Sequence, residues 1–207
     1  MNTAIQNMMN EHQVILKVLA SLDEMVKRIA SGKPVPREHI SRFAFFFKNF
    51  ADKWHHGKEE ERLFKKMVDY GFPREYGPVA VMLGEHEEGR REVKILAEIG
   101  GGSGGLTQEE INRVISAATE FIQLLFFHIH KEDNVLYPMA EQSLPQEAME
   151  ELNADCQEYE QKAFTDEELK NLRRITDELL NSYPSSVEKL QATLAPISGC
   201  SMFGCGH

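Results

Sequence analysis

Two segments of the chain pair a histidine with a glutamate four residues later: His55 with Glu59, and His128 with Glu132. In an α-helix this spacing brings both side chains onto one face, about 40° apart. In both segments that face is otherwise apolar. A buried imidazole and carboxylate need a partner that offsets the cost of leaving water, so the pattern predicts a metal site.

Two further histidines stand upstream in matched order. His12 lies 43 residues before His55, and His86 lies 42 residues before His128; each directly follows a glutamate, Glu11 or Glu85 in the two cases. The repeated order and spacing predict a helix hairpin that occurs twice and contributes ligands twice. The two upstream glutamates either accept hydrogen bonds from ligand histidines or lie on an exposed face.

The chemistry follows from the donor set. The predicted ligands are His12, His55, Glu59, His86, His128 and Glu132. Six nitrogen and oxygen donors are too many for one tetrahedral zinc ion, whereas two bridging carboxylates with four imidazoles suit a pair of octahedral ions. Iron fits this set best, with manganese, zinc or a mixed pair as alternatives. A ferritin-type site is disfavoured, because the lone positions here are histidines and the paired motif runs from His to Glu.

The elements that must hold these residues are helices. Apolar residues follow a three-four alternation from Ile5 to Ile29, which predicts a helix that ends at the Gly- and Pro-containing segment 31–36. A second helix is expected from Arg37 to about Tyr70. A third is expected from about Pro78 to the glycine-rich loop 100–105.

The fourth helix should begin at a capping box formed by Thr107 and Glu110. Its apolar stripe extends through Val135 to Met139, and Pro138 is expected to stop or kink it. Four long helices with short connections predict an all-α fold, an antiparallel up-down-up-down four-helix bundle with a short C-terminal helical extension.

The predicted bundle occupies residues 1–144 and the extension residues 145–195. The extension should hold two charged helices, either packed on the bundle or forming a partner-binding arm. Residues 196–207 are predicted to be a disordered tail. Its Cys200, Cys205 and His207 are interpreted as incidental and not as a second metal site.

Net charge, apolar runs and cysteine count exclude several classes of function. The net charge of −10 argues against a nucleic-acid surface and favours cations and small neutral or diatomic ligands. No apolar run is long enough to span a membrane, and no signal peptide is evident, so we expect a cytoplasmic protein. Three cysteines do not make a disulfide framework for 207 residues.

Three motifs carry a resemblance to a known family: His55-His56-Gly-Lys-Glu59-Glu60, Glu85-His86-Glu-Glu-Gly89-Arg90, and His128-x-x-x-Glu132. Over about residues 5 to 142 the chain resembles the hemerythrin-like family, the HHE cation-binding domains. The resemblance implies a non-haem di-iron centre in a four-helix bundle. In that family such centres bind oxygen, nitric oxide or peroxide, or serve in sensing and iron-linked stress responses.

The sequence departs from the oxygen-carrying members at two places. They place a second histidine one turn after the first on helix three, where this chain has Arg90. They also use as a ligand an aspartate five residues after the histidine of helix four. Asp133 has this spacing here, but the internal repeat favours Glu132 as the ligand. The fifth nitrogen could come from His56, or its place could be filled by Glu60 or solvent. A less saturated centre predicts oxidation to a stable diferric state without a long-lived oxygen adduct, and reaction with peroxide or nitric oxide.

These observations predict a di-iron protein that binds or reacts with small oxidants, in redox sensing or a stress response. One alternative is an enzyme that reduces peroxide or nitric oxide at the same centre. Another is an iron store, or a scaffold whose C-terminal helices engage a protein partner. The ligands select the cofactor, while the surroundings of the metal select the reaction.

Overall fold

The computed structural model describes the backbone of residues 3–198 and the side chains up to Ala195. Within this range every regular element is a helix, which confirms the all-α class. Cys200, Cys205 and His207, and with them most of the predicted tail, lie outside the described residues.

The described chain forms seven helices. They are α1 (Thr3–Ala30), α2 (residues 37–69), α3 (Gly77–Gly100), α4 (residues 108–143), α5 (Gln146–Ala163), α6 (Asp166–Ser182) and α7 (Val187–Ser198). The predicted helix bounds are therefore confirmed for α1 to α3, and α7 was not predicted as a separate element. The predicted capping box of Thr107 with Glu110 is formed, and Thr165 with Glu168 forms a second one.

Two of the long helices contain π-helical segments, which the sequence did not predict. In α2 these segments are Phe47–His56 and Glu59–Leu63, and in α4 the segment is Glu132–Leu136. Single π-helical turns inside α-helices occur frequently at functional sites. All three segments contain a residue of the predicted ligand set.

Helix α4 continues beyond its π turn. Of the two outcomes expected at Pro138, a stop does not occur, since the helix extends to Ser143. Val135, predicted to face the core, is 50% exposed, while Leu136 is 1% exposed and faces inward instead. The extra residue in the turn shifts the phase of the helix by one position. Beyond Glu132 the inward-facing position is therefore Leu136 and not Val135.

A polar layer separates two apolar clusters, and each of α1 to α4 contributes to both clusters. The larger cluster takes residues from Ile15 onward in α1, and the smaller one takes Ala4, Ile5 and Met8. In α1 and α3 the chain runs from the smaller cluster to the larger one, and in α2 and α4 it runs in the opposite sense. The helices contact one another in the cyclic order α1, α2, α3, α4.

The three C-terminal helices share these cores. Helix α5 packs on α1 and α2 and adds its apolar side chains, including Leu152, to the smaller cluster. Helices α6 and α7 pack on α1 and add side chains such as Ile175 and Leu190 to the larger cluster. Across the described part of the chain, no helix has the length and apolar character required to cross a membrane.

Candidate metal centre

The polar layer brings seven ligand-type side chains together in the middle of α1 to α4. Two groups of four buried side chains have their ligand atoms within 4.8 Å of one another. The first group is His56, Glu59, His86 and His128; the second is His12, His55, Glu59 and Glu132. All seven residues predicted from the sequence therefore lie in one place, and Glu59 belongs to both groups.

The π segments of α2 explain how two adjacent histidines enter the same layer. In a regular α-helix His55 and His56 would point about 100° apart. Hydrogen bonding from residue i to i+5 widens the turn and reduces the rotation from one side chain to the next. His55 is 1% exposed and His56 is 7% exposed, so both side chains face the interior.

Glu132 joins the two groups from the side of α4. Its Oε1 lies 3.0 Å from Nε2 of His128, and its Oε2 lies 3.2 Å from Nε2 of His12. Both carboxylates of the layer, Glu59 and Glu132, are fully buried. Glu59 is common to the two groups, and Glu132 contacts a histidine of each.

The histidine Nε2 atoms point at one another across the layer. Nε2 of His12 is 2.8 Å from Nε2 of His55, and Nε2 of His86 is 3.1 Å from Nε2 of His128. Two unprotonated ring nitrogens at this separation repel each other unless a cation or a proton lies between them.

Each of these four rings is held from behind by a carboxylate on a neighbouring helix. The Nδ1 distances are 2.7 Å from His12 to Asp133, 2.8 Å from His55 to Glu11, 2.6 Å from His86 to Glu60 and 2.8 Å from His128 to Glu85. An Nδ1–H that donates to a carboxylate leaves Nε2 as a lone pair directed into the layer, which is the tautomer a metal requires. The acceptors form a closed ring, because each helix supplies the acceptor for the next one.

Three of these carboxylates contact a cation. Lys58 binds Glu11 and Lys131 binds Glu85, while Nη2 of Arg90 lies 2.7 Å from Glu60. Glu11 and Glu85, for which the sequence left two roles open, are thus hydrogen-bond acceptors and not free surface groups.

Lys58 is a site residue that the sequence analysis missed. Its side chain is 1% exposed, and it binds Glu160 of α5 at 2.7 Å in addition to Glu11. The signal was present in the internal repeat, since Lys58 and Lys131 each directly precede a glutamate of the ligand set.

Tyr137 was also missed as a site residue. It is 1% exposed, its hydroxyl donates to Oε1 of Glu59 at 2.7 Å, and its ring is stacked on His12 at 5.6 Å. Phe64, the corresponding residue of the repeat, is stacked on His86 at 5.8 Å. Tyr137 therefore orients one ligand and shields another.

Of the three candidates that the sequence left for the fifth position, His56 lies in the polar layer. Its ring is stacked on His86 with centroids 3.8 Å apart. Glu60 instead accepts from His86 and Arg90, outside the two ligand groups. Arg90 also binds Asp52, with Nε at 2.9 Å. The layer accordingly contains five imidazoles, and Arg90 does not leave a nitrogen missing.

The electrostatics favour a cation in this layer. Burial and the neighbouring Glu132 raise the pKa of Glu59 well above its usual value. Burial lowers the pKa of His56 to about 3, which keeps its ring neutral and able to ligate. Burial acts to lower the pKa of His128 as well, but Glu132 and Glu85 outweigh it and raise that pKa to about 9.

Several buried polar atoms of the layer have no hydrogen-bond partner. They include both ring nitrogens of His56, Oε2 of Glu59 and both carboxylate oxygens of Glu132. Such groups are costly to bury unless something binds them. Metal ions would bind these nitrogen and oxygen atoms, so the residues present fit a pair of ions with octahedral preferences.

The sequence matches a known family over most of its length. The model of the hemerythrin HHE cation binding domain matches residues 3–140. No solved structure matches the chain significantly.

Curated relatives align with the chain at low sequence identity. The chain is 27% identical over 138 residues to the iron-sulfur cluster repair protein YtfE of Pectobacterium carotovorum subsp. carotovorum (strain PC1), covering 63% of this chain and 60% of that protein. It is 25% identical over 143 residues to the protein of the same name from Musicola paradisiaca (strain Ech703), covering 66% and 62%. The alignments thus span about three fifths of the length of these relatives.

Proposed function

The chain belongs to the family of hemerythrin HHE cation-binding domains, and from this premise we propose that its polar layer holds two iron ions. The proposed ligands are His12, His55, His56, Glu59, His86, His128 and Glu132. His56, His86 and His128 would serve one ion and His12 and His55 the other. Glu59 and Glu132 would complete the set with their carboxylate oxygens.

The proposed scaffold is an antiparallel up-down-up-down bundle of α1 to α4, covering residues 1–144. The alternating direction in which these helices cross the two apolar clusters supports this arrangement. Residues 145–195 would then form a helical extension docked on the bundle.

The observation that carries the proposal is the position of four carboxylates, each 2.6–2.8 Å from the Nδ1 atom of a histidine in the layer. If Nδ1–H of each ring donates to Asp133, Glu11, Glu60 or Glu85, Nε2 is the atom that faces the layer, where a metal ion would take the place of a proton. Unpartnered oxygens of the two buried glutamates face the same space. A layer of lone pairs and carboxylates without a cation would be strongly unfavourable.

We propose that the centre reacts with small oxidants such as oxygen, peroxide or nitric oxide, in a redox or stress response. Bound iron would supply the electrons for that chemistry. The chain itself orients the rings, holds a proton on the Tyr137 hydroxyl beside Glu59, and buries the layer between two apolar clusters. The name of the relatives, iron-sulfur cluster repair protein, supports a stress-response setting and favours, as a second candidate, a role in iron–sulfur cluster repair.

Metal analysis tests the proposal. Protein produced with iron should contain close to two irons per chain. Glu132→Gln should lose most of this iron because a carboxylate ligand is removed. Asp133→Asn, the matched neighbour, should retain iron with an affinity weakened ~10–100-fold, as expected for a residue that only orients a ligand.

Equal iron loss in both variants would contradict the assignment of the ligand to Glu132. Wild-type protein that contains a single zinc ion after iron-replete, anaerobic purification would overturn the di-iron proposal.

A further inference from the structure

A cavity of about 280 Å³ lies between α2, α3 and α4 and reaches the proposed centre. His56, His86 and His128 form its inner wall. The remaining wall is mainly apolar and includes Phe47, Val93, Phe121 and Leu125. Exposed residues also line the cavity, so it connects the histidines to the surface.

The cavity is much larger than a diatomic ligand needs. A water-sized group takes ~30 Å³ of liquid volume, so the space corresponds to about nine such groups. Its size approaches the lower end of small-molecule pockets, which begin at ~300 Å³ and are mostly apolar with a few polar anchors. The volume therefore fits a small organic molecule.

Gly89 of α3 contributes to this space. It is buried, and a Cβ placed there would lie 3.4 Å from Cε2 of Phe121 across the cavity. A larger side chain at this position would have to enter the cavity. Gly84, on the same helix, is exposed and has no atom within 4 Å of a Cβ placed there.

The cavity lining contains three cations, Lys48, Arg90 and Lys94, in a chain whose net charge is −10. Its two carboxylates are already paired, Asp52 with Arg90 and Glu85 with Lys131. Lys48 and Lys94 are exposed lining residues. Within the described residues neither of them forms an ion pair. Arg90, the third cation of the lining, is already bound by Asp52, Glu60 and Glu87. Two lysines are thus available to an anionic group at the end of the cavity that faces solvent.

We propose that this cavity binds a small amphipathic organic anion, a carboxylic acid with an apolar body of about eight carbons. Its carboxylate would lie at Lys48 and Lys94, and its body would lie beside Gly89 with the inner end toward His56 and His128. The cavity is formed by the chain's own side chains, so this inference does not require the proposed irons. It adds to the proposed function a ligand that occupies the route from the surface to the centre.

Calorimetric titration of the full chain with octanoate tests the proposal, with and without iron. We expect saturable binding at one site in both forms. Neutral octanamide and cationic octylammonium should bind at least severalfold more weakly. No saturable binding of octanoate to either form, or equal binding of octanamide, would overturn the proposal.

Variants locate the site. Gly89→Leu should weaken octanoate binding at least tenfold, whereas Gly84→Leu should leave it unchanged. The double change Lys48→Gln and Lys94→Gln should weaken binding about three- to tenfold at low salt. The control double change Lys17→Gln and Lys33→Gln should not.

The lysine variants are exposed and report on the site even if Gly89→Leu fails to fold. Ala97→Trp, at an exposed part of the lining, provides a second obstruction and should also weaken binding. Unchanged binding in the lysine double variant, or in the folded obstruction variants, would exclude this cavity as the site.

Discussion

At the scale of single residues, His56 determines how many imidazoles the layer contains. Its two ring nitrogens are buried without hydrogen-bond partners beside His86. This residue adds a fifth imidazole to the layer, although Arg90 stands where a helix-three histidine was expected. We still expect the iron centre to be oxidised readily, because the cavity beside His56 connects it to the surface. Oxygen and water reach an open site more easily than a closed one.

We predict that reduced, iron-loaded protein mixed with air is oxidised irreversibly, and that His56→Ala is oxidised at least severalfold faster because it opens the inner wall of the cavity. His130→Ala is the matched control, since His130 is exposed on α4. Stopped-flow absorbance measures both rates. Wild-type protein that returns to its reduced spectrum on deoxygenation would instead support a reversible carrier.

At the scale of elements, α5 is tied to the proposed centre through one buried cation. Glu160 of α5 binds Lys58, Lys58 binds Glu11, and Glu11 accepts from His55. The nitrogen of the Trp54 indole donates to the same Glu11 at 2.7 Å. A chain of contacts therefore connects α5 to His55, although α5 does not enter the polar layer.

We predict that Glu160→Gln destabilises the protein by about 1–2 kcal/mol. This is less than the ~3–5 kcal/mol for breaking a fully buried pair, because the Glu160 side chain is 28% exposed. The spectrum of the iron-loaded protein should also shift, since Lys58 would be left with Glu11 alone. Denaturant unfolding and absorbance measure the two effects.

Glu158→Gln is the control on the same helix, where Glu158 pairs with Lys162 at the surface. It should leave both the stability and the spectrum unaltered, because surface substitutions away from buried contacts have little effect. Equal effects of the two substitutions would show that Lys58 does not couple α5 to the centre.

At the scale of the whole molecule, the extension and the bundle share their apolar cores. Leu172 and Leu179 of α6, with Leu190 of α7, are buried in the larger cluster, and Leu152 of α5 is buried in the smaller one. Each such side chain contributes ~1.5–3 kcal/mol by leaving water. Together they are comparable with the ~5–15 kcal/mol that stabilises a typical domain.

We predict that truncation after Leu144 abolishes cooperative thermal unfolding or lowers its midpoint by more than about 10 °C. Truncation after Ser198, which removes only the tail with Cys200, Cys205 and His207, should change neither the midpoint nor the iron content. Circular dichroism and metal analysis provide the measurements. An unchanged midpoint for residues 1–144 would show that the bundle is stable without the extension.

The sequence alone determined the helices and most of the residues in the polar layer. The 3.6-residue period is a local property, so it placed His12, His86 and the two His–Glu pairs on inward faces of helices. Gly, Pro and one capping box marked the ends of these helices. The repetition of the histidines in matched order then predicted one shared site.

The tertiary structure decided what depends on the packing of one helix against another. His56 lies in the layer on a π-helical segment of α2, and a separate π turn in α4 shifts the helix phase so that Val135 is exposed. The acceptors of the histidine Nδ1 atoms, the burial of Lys58 and the cavity beside Gly89 all involve side chains from different helices. The periodicity of a single helix contains no information on such contacts, because they arise from the distances between helices.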